Sequence, residues 1–262
     1  MKLDVPKIMG ILNVTPDSFY SESRTFAEAD IRRRIELMVT EGVDIIDVGG
    51  CSTRPGYKEP TEDEEWERVN MGCRFVREIA PSIPLSIDTF RSTVAKKAIL
   101  HWNADIINDV SGGKDPEMFS VVAQHRLIYV LTHNREENVG YSDVTAEVIT
   151  ELSKKINELH RLGVNDIVID PGFGFAKTLE ENFRLLDELE EFTKIGYPLL
   201  VGVSRKSMIY KTLDCTPEET LTGTIALDAI SLIKGANILR VHDVKPAVET
   251  IKLYKKLKES AL

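Results

Sequence analysis

Short apolar runs along the chain each end in a polar residue that can take part in chemistry. In chain order they end at Asn13, Asp47, Asp88, Asn108, His133, Asp170, Ser204 and His242. Carboxylates and amides form several hydrogen bonds at once, and histidine can bind an anion or carry a proton. If the runs are parallel strands of one barrel, their ends meet at the same mouth, so these residues are candidates for a single site.

The candidates for ligand recognition are Asp88, Asn108 and Asp170, which follow the third, fourth and sixth runs. A carboxylate accepts two parallel N–H bonds from an amino-pyrimidinone edge, and an amide meets a donor and an acceptor together. Each residue alone is also a common cap of a strand–helix turn. Three of them at one mouth favour a flat ligand that is rich in hydrogen-bonding groups.

Cationic residues follow the last two runs. Arg240 and His242 are two positions apart, so both side chains project to the same side of a strand. With Arg54 they can form a local cationic patch for an anion, against an overall net charge of −9. The adjacent cations Arg205 and Lys206 indicate a further partner, because neighbouring positive charges repel each other at a barrel mouth.

Two loops carry further candidates. The first contains Asn13, Asp17 and Phe19; the Asn13 amide suits a hard cation, and the Asp17 carboxylate suits a developing positive charge. The second contains Thr53 and Arg54 between glycines, a composition that suits a phosphate. The alternatives are a well-formed turn for the first loop and a flexible surface loop for the second.

The loop after the sixth run, residues 172–178, is rich in glycine but lacks the G-x-x-x-x-G-K-[ST] spacing of a nucleotide phosphate loop. A nucleotide site of that class is therefore rejected. After the fifth run, His133, Asn134 and Arg135 leave a functional and a purely structural role equally open.

Eight strand–helix units must position these residues, and they predict a (β/α)₈ barrel whose reactive groups lie at the C-terminal strand ends. Helices are predicted over 61–80, 92–100, 116–124, 145–162, 178–191, 220–234 and 245–258. Thr61 and Glu64 have the spacing of a capping box at the start of the first of these. A doubly wound open sheet has similar local units and is the structural alternative.

Length and composition limit the class of protein. A chain of 262 residues with 42% apolar residues is predicted to form one barrel domain over residues 1–262. The net charge of −9 argues against a general nucleic-acid surface. The N-terminus lacks signal-peptide features and no apolar run reaches membrane-spanning length, so a cytoplasmic protein without nucleic-acid or membrane partners is expected.

Taken together, the motifs resemble the dihydropteroate synthase family of pterin-binding enzymes. The matching stretches span almost the whole chain in the expected order: residues 8–19, 44–56, 86–89, 107–110, 169–178, 202–207 and 240–244. The resemblance implies a Mg²⁺-assisted transferase on a (β/α)₈ barrel, usually a homodimer. Such an enzyme joins 6-hydroxymethyl-7,8-dihydropterin diphosphate to 4-aminobenzoate, and it releases pyrophosphate and 7,8-dihydropteroate.

The resemblance also implies roles for individual residues. The pterin is expected to contact Asp88, Asn108, Asp170 and Lys206. The diphosphate is expected at Asn13, Arg240 and His242, with Asn13 as the ligand of Mg²⁺. The 4-aminobenzoate is expected to meet Thr53, Arg54 and Ser207, with apolar walls from Phe19 and Phe175. Catalysis through an ionised methylene cation is expected to involve Asp17, Lys206, Arg240 and His242.

The chain departs from the common family pattern at three places. Cys51 stands where a Glu is usual before Ser-Thr-Arg-Pro, residues 20–24 replace a frequent Ser-Asp-Gly-Gly, and Asn134 stands where a Met is common. A pterin-dependent methyltransferase would share the pterin residues but would not need Thr53, Arg54 or the last two strand ends. A non-catalytic pterin-binding homologue is the second rival.

Overall fold

The computed structural model describes residues 5–14, 24–51, 59–135 and 140–260, and in these ranges eight strands alternate with helices. The strands are Lys7–Asn13 (β1), Ile45–Gly49 (β2), Leu85–Asp88 (β3), Ile106–Asp109 (β4), Ile128–Thr132 (β5), Ile167–Asp170 (β6), Leu200–Val201 (β7) and Ile238–Val241 (β8). The α-helices are Arg24–Glu41 (α1), Glu62–Ile79 (α2), Ser92–Trp102 (α3), Met118–His125 (α4), Val144–Arg161 (α5), Leu179–Asp187 (α6), Glu190–Thr193 (α7), Ser207–Leu213 (α8), Leu221–Ile233 (α9) and Val244–Glu259 (α10).

The strands form one parallel sheet in the order β6-β5-β4-β3-β2-β1-β8-β7. A parallel bridge between Ile169 and Leu199 joins the two ends of that order, next to β6 and β7. Sequential neighbours with a bridge between the outer strands make a barrel, because an open doubly wound sheet reverses its strand order at a switch point. The predicted (β/α)₈ fold is confirmed.

Side-chain caps account for the starts of α2, α5 and α6. The predicted capping box of α2 is present: Thr61 Oγ1 accepts from the Glu64 amide at 3.3 Å, and Glu64 Oε2 accepts from the Thr61 amide at 2.8 Å. The helix predicted over 178–191 is divided into α6 and α7, and α8 was not predicted. In the described part of the chain, no helix is both long and apolar enough to cross a membrane.

An apolar layer fills the barrel interior. It is a cluster separate from the core between strands and helices, and its buried members are Met9, Ile45, Ile106, Val130, Val168, Leu200 and Ile238. Side chains alternate between the two faces of a strand, so the residue two positions further along also points into the lumen. The apolar layer therefore closes the lower part of the barrel and forms the floor of the lumen at the C-terminal ends of the strands.

Candidate functional site

A polar layer lies directly above the apolar floor. In five strands, the residue two positions after a member of the apolar floor is polar or charged. These residues are Asp47, Asn108, Thr132, Asp170 and Arg240. The third strand adds Asp88 at its C-terminal end. Asp47, Asn108 and Thr132 are almost completely buried, and Asp170 is 6% exposed. This concentration of charge at the C-terminal end of a barrel marks the candidate site.

Arg240 connects three strands across the lumen. Its Nε donates to Asp47 Oδ2 at 2.7 Å, and its Nη2 donates to Asp88 Oδ2 at 2.5 Å. Between β8 and β3 lie β1 and β2, so the second of these bonds crosses the barrel interior. The Arg240 guanidinium therefore lies inside the lumen and is partly neutralised by two carboxylates.

Asp47 is a strand-end candidate for which no individual role was predicted. Its Oδ2 also accepts from Asn108 Nδ2 at 2.9 Å. That bond fixes the Asn108 amide so that Oδ1 is the acceptor left over. Among the described residues, neither Asp47 Oδ1 nor Asn108 Oδ1 has a hydrogen-bond partner, although both atoms are buried. Buried polar atoms normally find partners, so these two acceptors point to a ligand with N–H groups.

Asp170 offers a carboxylate at the same level. Its Oδ1 accepts from the Gly172 amide at 2.8 Å, and its Oδ2 accepts from Thr132 Oγ1 at 3.3 Å. Each carboxylate oxygen has capacity for a further bond, so Asp170 can accept two N–H groups from a planar ligand edge. The predicted grouping of Asp88, Asn108 and Asp170 in one lumen is thus observed.

Lys206 reaches the lumen from the turn before α8. Its Nζ donates to the Phe173 carbonyl and lies 4.6 Å from the centre of the Phe175 ring. The neighbouring Arg205 has a φ of 58° and pairs with both carboxylate oxygens of Asp243, at 2.8 and 3.0 Å. The two adjacent cations therefore have separate partners, and Lys206 is the one at the site.

His242 lies at the end of β8, beside Ser204. The Ser204 hydroxyl accepts from the His242 amide at 3.2 Å and lies 3.0 Å from Nδ1, to which its O–H can donate. Burial lowers the pKa of His242 to about 3, and the nearby charge of Arg240 lowers it further. The ring is therefore neutral near pH 7. When Ser204 donates to Nδ1, the ring proton is on Nε2, which can then donate to an anion.

Burial governs the pKa values of the charged groups in the lumen. It raises the pKa of Asp88 to about 7, an effect that Arg240 opposes and the charge of Asp47 reinforces. It also raises the pKa of Asp170, opposed first by Lys206. Burial lowers the pKa of Lys206 to about 8, and Asp170 opposes that change. Perturbed carboxyl and amine groups in one cleft are typical of a functional site.

Oxygen atoms suitable for a hard cation lie at the mouth above Arg240. Asn13 is exposed at the end of β1, and a Cβ placed on Gly49 would lie 3.5 Å from both Asn13 Oδ1 and Asp88 Oδ2. The described residues contain no group of three or more His, Cys, Asp or Glu side chains arranged to hold a metal. Asp88 Oδ2 already accepts from Arg240, so Asn13 Oδ1 is the oxygen at this mouth that could hold a Mg²⁺ ion, which would take its other ligands from a bound diphosphate and water.

The structure brings together most, but not all, of the predicted site residues. The lumen and its mouth contain Asn13, Asp88, Asn108, Asp170, Phe175, Lys206, Arg240 and His242, while Ser207 is the half-buried first residue of α8. Four further predicted residues lie outside the described part of the chain: Asp17, Phe19, Thr53 and Arg54. Their roles stay predictions.

The family described as pterin binding enzyme matches residues 9–242 of the chain. The dihydropteroate synthase of Bacillus subtilis is 41% identical over 250 residues, which cover 94% of this chain and 86% of that protein. The dihydropteroate synthase of Clostridium beijerinckii is 43% identical over 242 residues, with 90% and 88% covered. The matched region includes every described site residue.

Solved structures agree with these sequence relatives. The Xanthomonas albilineans dihydropteroate synthase with 4-aminobenzoic acid has a TM-score of 0.91 and 35% identity, covering 98% of this chain and 95% of that one. The same enzyme in complex with 7,8-dihydropteroate has a TM-score of 0.88 and 34% identity over the same shares. The chain therefore belongs to the pterin-binding enzyme family and, within it, to the dihydropteroate synthases of folate biosynthesis.

Proposed function

We propose that the chain condenses 6-hydroxymethyl-7,8-dihydropterin diphosphate with 4-aminobenzoate through a methylene cation, with Mg²⁺ on the leaving diphosphate. The observation that carries the proposal is the buried polar layer, in which Asp170 and Asn108 present acceptors that suit an amino-pyrimidinone edge. Lys206 lies beside Asp170 as a cationic donor for the acceptor atoms of the same ring.

The charges of the lumen support a metal-bound diphosphate. The carboxylates of Asp47, Asp88 and Asp170 face the cations Arg240 and Lys206, so the described lumen holds no excess of positive charge. A polyanionic diphosphate would be repelled there without a counter-charge. When bound, Mg²⁺ would neutralise the diphosphate and favour its departure, with Asn13 as the protein ligand at the mouth.

The residues divide the reaction between them. The bond from the methylene carbon to the diphosphate oxygen breaks, and its electron pair leaves with the diphosphate. Arg240 and the neutral His242 donate hydrogen bonds to that leaving group. The pterin nitrogen lone pairs and the Asp17 carboxylate stabilise the cation. The amine lone pair of 4-aminobenzoate then forms the C–N bond to the methylene carbon, and the amine passes one proton to water. Thr53, Arg54 and Ser207 are assigned to binding of 4-aminobenzoate, with Phe19 and Phe175 as apolar contacts.

Positional isotope exchange tests the order of these steps. The substrate carries ¹⁸O in the bridge between the methylene carbon and phosphorus, and it is incubated with enzyme and Mg²⁺ but without 4-aminobenzoate. A methylene cation lets the label scramble into non-bridging positions of the recovered substrate. Turnover with 4-aminobenzoate but no scrambling without it would indicate direct displacement. Scrambling at the same rate with and without Mg²⁺ would show that the metal does not assist departure of the diphosphate.

Asp47→Asn is expected to lower kcat/KM for the pterin diphosphate about tenfold, because Arg240 loses one of its two buried carboxylates. The Asn108 amide loses its fixed orientation as well. Steady-state kinetics check the prediction, with the exposed Asp214→Asn as a control. A value of kcat/KM within twofold of wild type would show that Asp47 does not orient the site.

We also propose a homodimer that uses the exposed apolar side chains of α8 and α9. Leu213, Leu221, Ile230 and Ile233 are between 38% and 58% exposed on these two neighbouring helices. Light scattering is expected to give twice the chain mass of 29.5 kDa for the wild type and the single mass for Ile233→Glu. Leu253→Glu on α10 is the control, and a dimer that survives Ile233→Glu would place the interface elsewhere.

We propose a cytoplasmic location because two cysteines are found as thiols. Cys73 and Cys215 are free thiols. Burial raises the pKa of Cys73 to about 12, which keeps that thiol unreactive. Unpaired cysteines are typical of a reducing compartment.

A further inference from the structure

Lys177 lies next to the pterin site, in the loop after β6, and all of its donors are used within the protein. Its Nζ lies 3.0 Å from the Gly172 carbonyl oxygen, 3.1 Å from the Phe175 carbonyl oxygen and 3.2 Å from His133 Nδ1. An ammonium group has three N–H bonds, and three acceptors surround it. The lysine therefore closes its own loop and ties that loop to the end of β5.

His133 is in turn held by α5. Its Nε2 lies 2.9 Å from Glu151 Oε2, which can only accept, so Nε2 donates and Nδ1 accepts from Lys177. Burial lowers the pKa of His133 to about 4, and the charge of Lys177 lowers it further. The histidine is therefore neutral near pH 7 and keeps one tautomer. Hydrogen bonds thus connect Glu151 to His133 and His133 to Lys177, and Arg135 also donates to Glu151.

The loop that Lys177 closes shapes two site residues. The Gly172 amide donates to Asp170, and a Cβ at Gly172 would lie only 1.9 Å from the His133 carbonyl oxygen, so the loop packs directly on β5. The Phe173 carbonyl accepts from Lys206. A displacement of this loop would therefore move the partners of Asp170 and Lys206 together.

Lys177 also acts on Asp170 through its charge. The groups that face Asp170 are Lys206, Lys177, Arg240, the Thr132 hydroxyl and the Gly172 amide. The groups that face Lys177 are Asp170, Lys206, Glu181, Arg135 and His133. Burial lowers the pKa of Lys177 to about 7, opposed first by Asp170. Below that pH the lysine is a buried cation beside a carboxylate, and its charge keeps that carboxylate ionised as the pH falls. Asp170 must be ionised to accept two N–H bonds from the pterin edge.

We propose that Lys177, held in place by His133 and Glu151, is a positioning residue that fixes the loop holding Asp170 and places a cation beside that carboxylate for pterin recognition. The inference rests on the proposed pterin site, but it assigns no contact between Lys177 and the pterin. It gives a function to the residues after the fifth strand, for which the sequence left two roles open.

The test is pterin binding by Lys177→Met as a function of pH, measured by calorimetry with 6-hydroxymethylpterin in the absence of Mg²⁺ and 4-aminobenzoate. We expect the affinity at pH 7.5 to fall about tenfold. Without the lysine charge the pKa of Asp170 rises, so binding should be lost at a higher pH on acidification than in the wild type. We expect kcat at saturating substrate to change less than threefold, since Lys177 acts on pterin binding.

Two further variants separate positioning from folding. Lys96→Met changes an exposed lysine of α3 and should leave both affinity and pH profile unchanged. His133→Phe keeps the lysine but removes the hydrogen bonds that connect it to α5. Pterin affinity should therefore fall by about threefold, while the pH at which binding is lost on acidification should not change. Should Lys177→Met not fold, this second variant decides, and wild-type affinity for it would contradict the proposal.

The outcomes are distinguishable from failure of the proposed function. If the wild-type chain does not bind the pterin, the pterin site itself is wrong and the inference falls with it. If the wild type binds and Lys177→Met has the same affinity and the same pH profile, only the role of Lys177 is wrong. A variant with lowered melting temperature but unchanged binding would show that the lysine is purely structural.

Discussion

Asp170→Asn is expected to lower kcat/KM for the pterin diphosphate by about two to three orders of magnitude. The carboxylate can accept two N–H bonds from the pterin edge, and hydrogen bonds to a charged group contribute about 1.5 to 3 kcal/mol each. Asparagine keeps one acceptor but turns an N–H group toward a donor of the ligand. Since the carboxylate is 6% exposed, water cannot replace the lost acceptor.

Steady-state kinetics with varied pterin diphosphate measure this loss, and calorimetry with 6-hydroxymethylpterin measures the binding component alone. The change preserves side-chain volume, so the melting temperature should move little. Asp214→Asn, on the surface at the end of α8, is the matched control. Pterin affinity within threefold of the wild type would show that Asp170 does not recognise the pyrimidinone edge.

Lys206→Ala is expected to weaken pterin-diphosphate binding about 30-fold, equivalent to about 2 kcal/mol for one charge-assisted hydrogen bond. The lysine stem passes Gly174, where a Cβ would lie 3.1 Å from Lys206 Cδ, and its ammonium group lies above Phe175. This packing directs Nζ toward Asp170 and the lumen. Truncation removes the cation without creating a cavity in the apolar floor.

The measurement is the KM for each substrate in turn. A larger rise of KM for the pterin diphosphate than for 4-aminobenzoate is expected, because Lys206 faces Asp170 and Asp88, the carboxylates assigned to pterin binding. Lys252→Ala, which removes an exposed lysine of α10, is the control. Unchanged binding and turnover would contradict the assignment of Lys206. A rise of KM for 4-aminobenzoate alone would show that the lysine binds the second substrate instead of the pterin.

Strand-end residues were predictable from the sequence because parallel strands of a barrel finish at one mouth. Asp88, Asn108 and Asp170 each close a short apolar run, and the structure places all three in the lumen. The barrel itself follows from eight such runs with room for a helix between them. The start of α2 was predictable because its capping box is local in sequence.

Asp47 shows what a run of apolar residues cannot reveal. The sequence places it at the end of the second run, but β2 continues to Gly49, so Asp47 lies within the strand and two residues above the floor. Its partners Asn108 and Arg240 are 61 and 193 residues away. Contacts of that range depend on the register of the closed barrel, which only the structure supplies.

Lys177 and α8 were missed for a related reason. The Lys177 donors are satisfied by backbone carbonyls and by His133, none of which leaves a pattern in the sequence. Helix α8 has only seven residues, and its N-cap, Lys206, forms no side-chain capping bond. The Lys177 contacts depend on how the loop after β6 packs against the end of β5, which only the structure shows.

The most direct test of the central claim is product formation from 6-hydroxymethyl-7,8-dihydropterin diphosphate and 4-aminobenzoate, followed together with pyrophosphate release. We expect 7,8-dihydropteroate and pyrophosphate in equal amounts, and only when both substrates and Mg²⁺ are present. Binding of the pterin diphosphate without any product would contradict it, and would leave a pterin-binding protein that does not catalyse the condensation.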